Sequence, residues 1–154
     1  MSLTRKYLNK EVAIRDIHLS LDGKLLIVAD SSGCVFASEI KNTDIEEVQR
    51  FQPHEDYILK VMTSNDVQTL ATCSADRTIK LFKINEDQTF EYSKTLYGHT
   101  KWVWDCCFIS DSSHLITVST DCFLKVWNCK EGKLKKNACQ HTKGITCMAL
   151  HDFV

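Results

Sequence analysis

Apolar residues fall in short runs separated by polar, turn-prone stretches, and no segment of about 12 residues holds a clean 3.6-residue apolar period. The pattern therefore predicts strands throughout. Ile14, Ile17 and Leu19 mark a first strand, Asp22-Gly23 a hairpin turn, Leu25 to Ala29 a second strand and Val35 to Ile40 a third. Asn42 to Gln49 reads as a polar connector, with Val48 to Phe51 as the outer strand. The cycle then restarts with Ile58, Val61 and Met62, followed by Leu70 to Cys73, Ile79 to Ile84, a polar turn over Asn85 to Gln88, and Phe90 to Leu96. In a third cycle Val103 and Cys106 take the buried slots of the first strand. Leu115 to Val118 and Leu124 to Trp127 follow, with a last hairpin loop at Lys130 to Lys133. Ile145, Met148 and Leu150 mark the inner strand of a fourth.

Polar residues recur on the same cycle. His54 stands 45 residues before His99, and His141 stands 42 after it. Asp76 follows His54 by 22 residues and Asp121 follows His99 by 22; Phe82 and Trp127 each come 6 residues after those aspartates. A period of about 40–45 residues marks a repeat architecture. Between the last two strand runs of the third repeat lies Ser119-Thr120-Asp121-Cys122, where an aspartate suits a hairpin because it tolerates tight turns and bonds nearby amides.

The His, Asp and Trp positions resemble the WD-repeat family of β-propellers. The resemblance implies a buried chain in which Asp121 bonds His99, His99 bonds Thr117, and Thr117 meets the indole N–H of Trp127. The second repeat supplies His54, Asp76 and Thr72, but Phe82 replaces the indole, so its chain is shorter. Such a network specifies geometry only when every member is satisfied, so these residues read as struts rather than catalytic groups. In the first repeat the same spacings put Lys10 at the His position, Ser32 at the Asp and Ser38 at the Trp, which leaves that blade to be held by packing alone. The expected fold is all-β, an incomplete WD-repeat propeller arc. It comprises a degenerate repeat 10–53, repeats 54–98 and 99–140, and the first strand of a further repeat at 141–154. A blade face of four strands spaced ~4.8 Å and ~17 Å long is roughly 330 Å², and one such face would be uncovered at each end of the arc. The ending resembles that of a closed ring, so an N-terminal propeller half is expected as a partner.

Charge and cysteine content narrow the function. The 154 residues carry 19 basic and 20 acidic side chains, mixed along the chain with no basic stripe, which argues against nucleic acid or an anionic membrane surface as partner. No apolar run approaches the ~18 residues of a membrane span. The polar Met1 to Lys10 lacks the apolar core of a signal peptide, so the eight cysteines read as thiols of a reducing compartment rather than disulfides. Cys73, Cys106 and Cys147 fall on predicted strands in small apolar slots. With no C-x-x-C pair, neither a metal nor any other cofactor is expected.

Trp102 and Trp104 lie three and five residues after His99, where the WD-repeat resemblance places the mouth of the ring; Tyr57 and Leu59, then Gly144 and Thr146, hold the same positions in the neighbouring repeats. Val103 and Cys106 already fill the buried slots, so at least one indole is expected in solvent. LATCSADRTIKLF, the W-V-W-D-C-C-F run, LITVSTDCFLKVW and HTKGITCMALHDF together resemble the small WD-repeat subunit of the target-of-rapamycin (TOR) kinase complexes. The likeness covers essentially the whole chain and corresponds to the C-terminal half of a seven-bladed ring. Asp105 departs from the small residue that family places there. The resemblance implies a non-catalytic cytoplasmic subunit in nutrient and growth signalling, peripheral on endolysosomal or vacuolar membranes through its complex. Trp102, Trp104 and more weakly Tyr57 would face the TOR kinase domain, among other TOR-complex subunits. Two alternatives stand beside it. One is a WD scaffold of another assembly, such as a ubiquitin-ligase receptor or trafficking coat. The other is an enzyme pairing Cys122 or Cys139 with His114 or His141, which would need thiol and imidazole within hydrogen-bond reach.

Overall fold

The computed structural model describes residues 12–41, 44–139 and 141–151. Twelve strands form three four-stranded antiparallel sheets, each a simple meander of neighbours. Blade 1 holds β1 (Ile14–Leu19), β2 (Leu25–Asp30), β3 (Val35–Lys41) and β4 (Asp44–Phe51). Blade 2 holds β5 (Ile58–Thr63), β6 (Thr69–Ser74), β7 (Ile79–Ile84) and β8 (Phe90–Leu96). Blade 3 holds β9 (Val103–Phe108), β10 (His114–Ser119), β11 (Phe123–Asn128) and β12 (Lys133–Cys139). The sheets stack side by side without closing, as an incomplete propeller.

Alternation of side chains across a strand lets the middle blade pack in both directions. Leu70, Phe82, Ile84 and Phe90 face Leu25, Ile27, Val35 and Ala37 of blade 1. Ala71, Cys73, Ile79 and Leu81 face Val103, Cys106, Leu115 and Trp127 of blade 3. Burying each Leu, Ile or Val of these two seams contributes about 1.5–3 kcal/mol. β1 has no such cover: Ile14, Ile17 and Leu19 remain 49%, 58% and 51% exposed.

Turn geometry repeats with the sequence. Gly33, Arg77 and Cys122, at the same place in the three β2–β3-type hairpins, all have positive φ (82°, 73° and 72°). Only the first is glycine, and a Cβ there would come within 2.1 Å of the His54 carbonyl oxygen. That carbonyl's close approach, not the turn alone, demands glycine.

Four expectations need correction. Asn42 to Gln49 is not a connector, because β4 begins at Asp44 and pairs along β3 from Lys41↔Asp44 to Val35↔Phe51. Residues 141–151 form no strand; they run alongside blade 3 through a bond from Ile145 N–H to the Ser119 carbonyl. Cys147 consequently sits exposed rather than in a buried slot. Blade 1 is not held by packing alone. The buried Asp30 carboxylate accepts hydrogen bonds from Ser32 N–H (2.8 Å), Ser32 O–H (2.7 Å) and Cys34 N–H (3.0 Å). At those two positions blades 2 and 3 carry Ser74 with Asp76 and Ser119 with Asp121, so the first hairpin keeps the same residue pair with its order exchanged. Lys10 lies outside the described residues.

Candidate docking surface and its struts

The two later hairpins are pinned by aspartate. Asp121 Oδ2 accepts from His99 Nδ1–H (2.8 Å) and Thr100 N–H (3.0 Å), and its Oδ1 from Phe123 N–H (3.1 Å). Burial pushes this carboxyl up, but those three donors outweigh it and hold the pKa below the usual range. With the His99 Nδ1 proton facing the carboxylate, Nε2 accepts from the Thr117 hydroxyl (2.8 Å), which in turn accepts from Trp127 Nε1–H (2.8 Å). Every member of this buried chain has its partner. Burial lowers the His99 pKa despite the facing Asp121, which keeps the imidazole neutral. Glycine suits the position before His99 because φ is 149° there and a Cβ would press on the Trp127 ring at 3.1 Å.

Blade 2 repeats the strut without its last member. His54 reaches Asp76 (2.7 Å) and Thr72 (2.8 Å), and the Thr72 hydroxyl lies 3.4 Å from the Lys80 carbonyl where blade 3 has an indole. Burial raises the Asp76 carboxyl, yet bonds from His54 and Thr78 prevail and bring it from 3.8 to about 2. Beside these struts, further bonds hold each hairpin against the segment entering the inner strand of its own blade. Ser119 O–H donates to the Lys101 carbonyl (3.2 Å) and Thr120 N–H to the Trp102 carbonyl (3.1 Å). Ser74 O–H and Ala75 N–H do the same to Tyr57.

Held in this way, the three aromatics form one row. Trp102 stands just before β9 and is 42% exposed; Trp104 is half-buried, its Nε1–H donating to Thr120 Oγ1 at 2.7 Å. Their ring centroids lie 5.7 Å apart at 50°, and Tyr57 meets Trp102 edge-on at 6.3 Å. At the far end the Arg15 guanidinium sits over the Tyr57 ring, 4.7 Å from its centroid. Both tryptophans border an open groove of about 880 Å³ between blades 2 and 3, with Glu55, Asp56, Asp76, Arg77 and Lys101 among its walls. Leu59 is half-buried and Gly144 and Thr146 are exposed, so the other mouth positions add no aromatic ring.

Two aspartates have a structural role that the sequence did not reveal, although Asp105 stood out there as a departure from the family pattern. Asp16 on β1 accepts Val61 N–H of β5 (2.9 Å), and Asp105 on β9 accepts Met148 N–H (2.9 Å). Each clasps the backbone of the following repeat's inner segment. An acid inside an otherwise apolar inner strand was the available signal. Met148 also packs on the blade 2–3 seam, its sulfur 3.9 Å from Cys107 Sγ.

The thiol–imidazole pairs do not assemble. Cys122 and Cys139 point at the backbone carbonyls of Thr120 and His141, and His114 Nδ1 is bonded to Ser113 Oγ. Cys106 is pushed well up by its bond to Cys73 and by burial, and burial takes Cys129 to about 11, so these thiols stay protonated. Among the described residues no group of three His, Cys, Asp or Glu side chains could hold a metal, and no helix is long and apolar enough to cross a membrane.

Comparison with known proteins gives three results. Residues 45–83 and 90–128 match the family described as WD domain, G-beta repeat; each match begins at or beside the start of an outer strand and runs into the third strand of the next blade. The target of rapamycin complex subunit LST8 of Saccharomyces cerevisiae is 36% identical over 92% of this chain and 48% of its own length, and the subunit wat1 of Schizosaccharomyces pombe 34% identical over 94% and 47%. The chain thus spans about half the length of these relatives. The crystal structure of the RRP9 WD40 repeats superposes with a TM-score of 0.80 at 18% identity, over 88% of this chain and 41% of that one, a likeness of fold alone.

Proposed function

From its membership of the WD-repeat family, to which this chain belongs, we propose that it is a non-catalytic scaffold subunit of TOR complexes. It docks through the row of Tyr57, Trp102 and Trp104 on the TOR kinase domain and contacts other TOR-complex subunits there. It acts in nutrient and growth signalling in the cytoplasm, reaching endolysosomal or vacuolar membranes only through the complex. Further blades, supplied by a partner, would close the ring.

The observation that carries this reading is the exposed indole of Trp102, held beside Trp104 at the edge of an open groove. Tryptophan is the residue most enriched in binding hot spots, where truncation to alanine often costs about 2 kcal/mol or more. The likeness to two TOR-complex subunits supports the choice of partner. The test is capture of TOR kinase on tagged chain, with a melting curve beside it. Trp102→Ala is expected to lose the kinase while the melt stays put, because truncating an exposed ring opens no cavity. A collapsed melt, or recovery of a cullin adaptor or coat protein without TOR kinase, overturns the proposal.

A further inference from the structure

The walls of the groove differ in kind. Trp102 and Trp104 supply ring surface at 50° to each other, and Thr120 fixes one of the two by its bond to the indole N–H. Opposite in character are Glu55, Asp56 and Asp76, which outnumber the lining cations Arg77 and Lys101 by three to two. Asp76 is committed to His54 and Thr78, and Asp56 Oδ1 accepts the Tyr57 N–H, which leaves Asp56 one carboxylate oxygen. Neither Glu55 and Asp56 nor the cations Arg77 and Lys101 enter an ion pair among the described residues, so the groove keeps the one-charge acidic excess of its lining. Aromatic faces beside an excess of carboxylates attract a cation whose flat surface can stack. At one end of the same aromatic row the chain already does this for itself, with Arg15 over Tyr57.

We infer that the side chain this groove takes from its partner is an arginine, its guanidinium stacked on the Trp102–Trp104 rings and its N–H groups turned to Glu55 and Asp56. The inference rests on the docking reading for the identity of the partner, but the recognition chemistry stands on the groove. Arginine fits better than lysine because the rings offer faces rather than a point of charge, and a planar cation presents its whole face to them. The volume of about 880 Å³ lies in the range of small-ligand pockets, so flanking residues of a loop enter with it. A glutamate or a phosphorylated residue would instead set its charge against Glu55 and Asp56.

The chain has three tryptophans, so 5-fluorotryptophan labelling gives three fluorine resonances. Those of Trp102 and Trp104 report the groove, and that of the buried Trp127 reports the fold. The probes are two capped pentapeptides, Gly-Gly-Arg-Gly-Gly and its neutral citrulline isostere. The arginine peptide is expected to shift the Trp102 and Trp104 resonances and leave Trp127 in place, with the citrulline peptide shifting none. Glu55→Gln with Asp56→Asn should weaken the apparent Kd about two- to fivefold, the equivalent of an exposed ion pair. Equal shifts from both peptides, or none from either, overturn the inference. In a second arm the arginine peptide should compete captured TOR kinase off the chain and the citrulline peptide should not; equal competition also overturns it. If no TOR kinase is captured yet the arginine-specific shifts appear, the partner assignment fails and the arginine site stands.

Discussion

A single hydroxyl serves two buried partners in blade 3, since Thr117 donates to His99 and accepts from Trp127. Thr117→Val keeps the shape and strands both, at about 1–3 kcal/mol for each unsatisfied group. Thr72→Val strands only His54 and a long contact to the Lys80 carbonyl, so it is expected to cost less. Urea unfolding of the two variants compares them, and equal losses would mean that the indole adds nothing to the strut. The same residues set the acid behaviour. Asp76, held at about 2 against 3.8, and Asp121, lowered as well, bind fewer protons folded than unfolded, so their stabilisation is full above pH 3.8 and fades as pH falls toward about 2. His18 and His99 are also lowered, from 6.5, chiefly by burial, so the unfolded chain takes up their protons first and stability begins to fall as pH drops below 6.5. Melting temperature against pH should show both phases, and Asp76→Asn should shrink the lower one while leaving the upper. A profile flat from pH 7 to 5 would remove both histidines from the account.

At the scale of strands, Asp16 and Asp105 perform one job with different consequences. Val61 is fully buried, so Asp16→Ala leaves its N–H without a partner and should cost about 1–3 kcal/mol. Met148 is only half-buried, and Asp105→Ala should speed hydrogen exchange across 141–151 with little change in the global melt. Exchange that slows, or a global loss matching that of Asp16→Ala, would contradict the clasp. These elements also show what the residues announce by themselves. The limits of β7 and β8 are those the apolar runs predict, because both sit in the blade buried on two faces. β4 was half hidden because its first residues, Asp44 to Glu47, are mostly acidic. That is how an edge strand avoids unwanted pairing, and it reads as loop. Ile145, Met148 and Leu150 carry a strand's apolar spacing, but a strand also needs a hydrogen-bonding neighbour, and the described residues supply only one backbone contact. The tryptophan pair and the strut spacings were visible in the repeat. Arg15 over Tyr57 and Thr120 under Trp104 were not, because they arrive from other strands and turns and follow no spacing.

Across the whole molecule the balance is set by how many blade faces find a neighbour. Blade 2 is sandwiched, whereas blade 1 turns Ile14, Ile17 and Leu19 outward with Leu21 beyond them, and Leu150 is exposed near the other end. A patch of about 330 Å² reaches the size of the largest apolar patch on an ordinary monomer, and in a closed propeller of four to eight blades the next sheet covers it. The 154-residue chain by itself is therefore expected to self-associate through β1. Because the driving force is burial of apolar area, raising the salt should strengthen the association, whereas contacts between charged surfaces would weaken. Ile17→Ser with Leu21→Ser removes two of the most exposed apolar side chains without touching a strut, the aromatic row or either clasp. Sedimentation velocity on both proteins at several concentrations reads the result. The parent should show a weight-average coefficient that rises with concentration, and the double variant a value nearer the monomer's. A parent that sediments as a monomer and melts in one cooperative transition would show that three blades are self-sufficient and that β1 needs no cover.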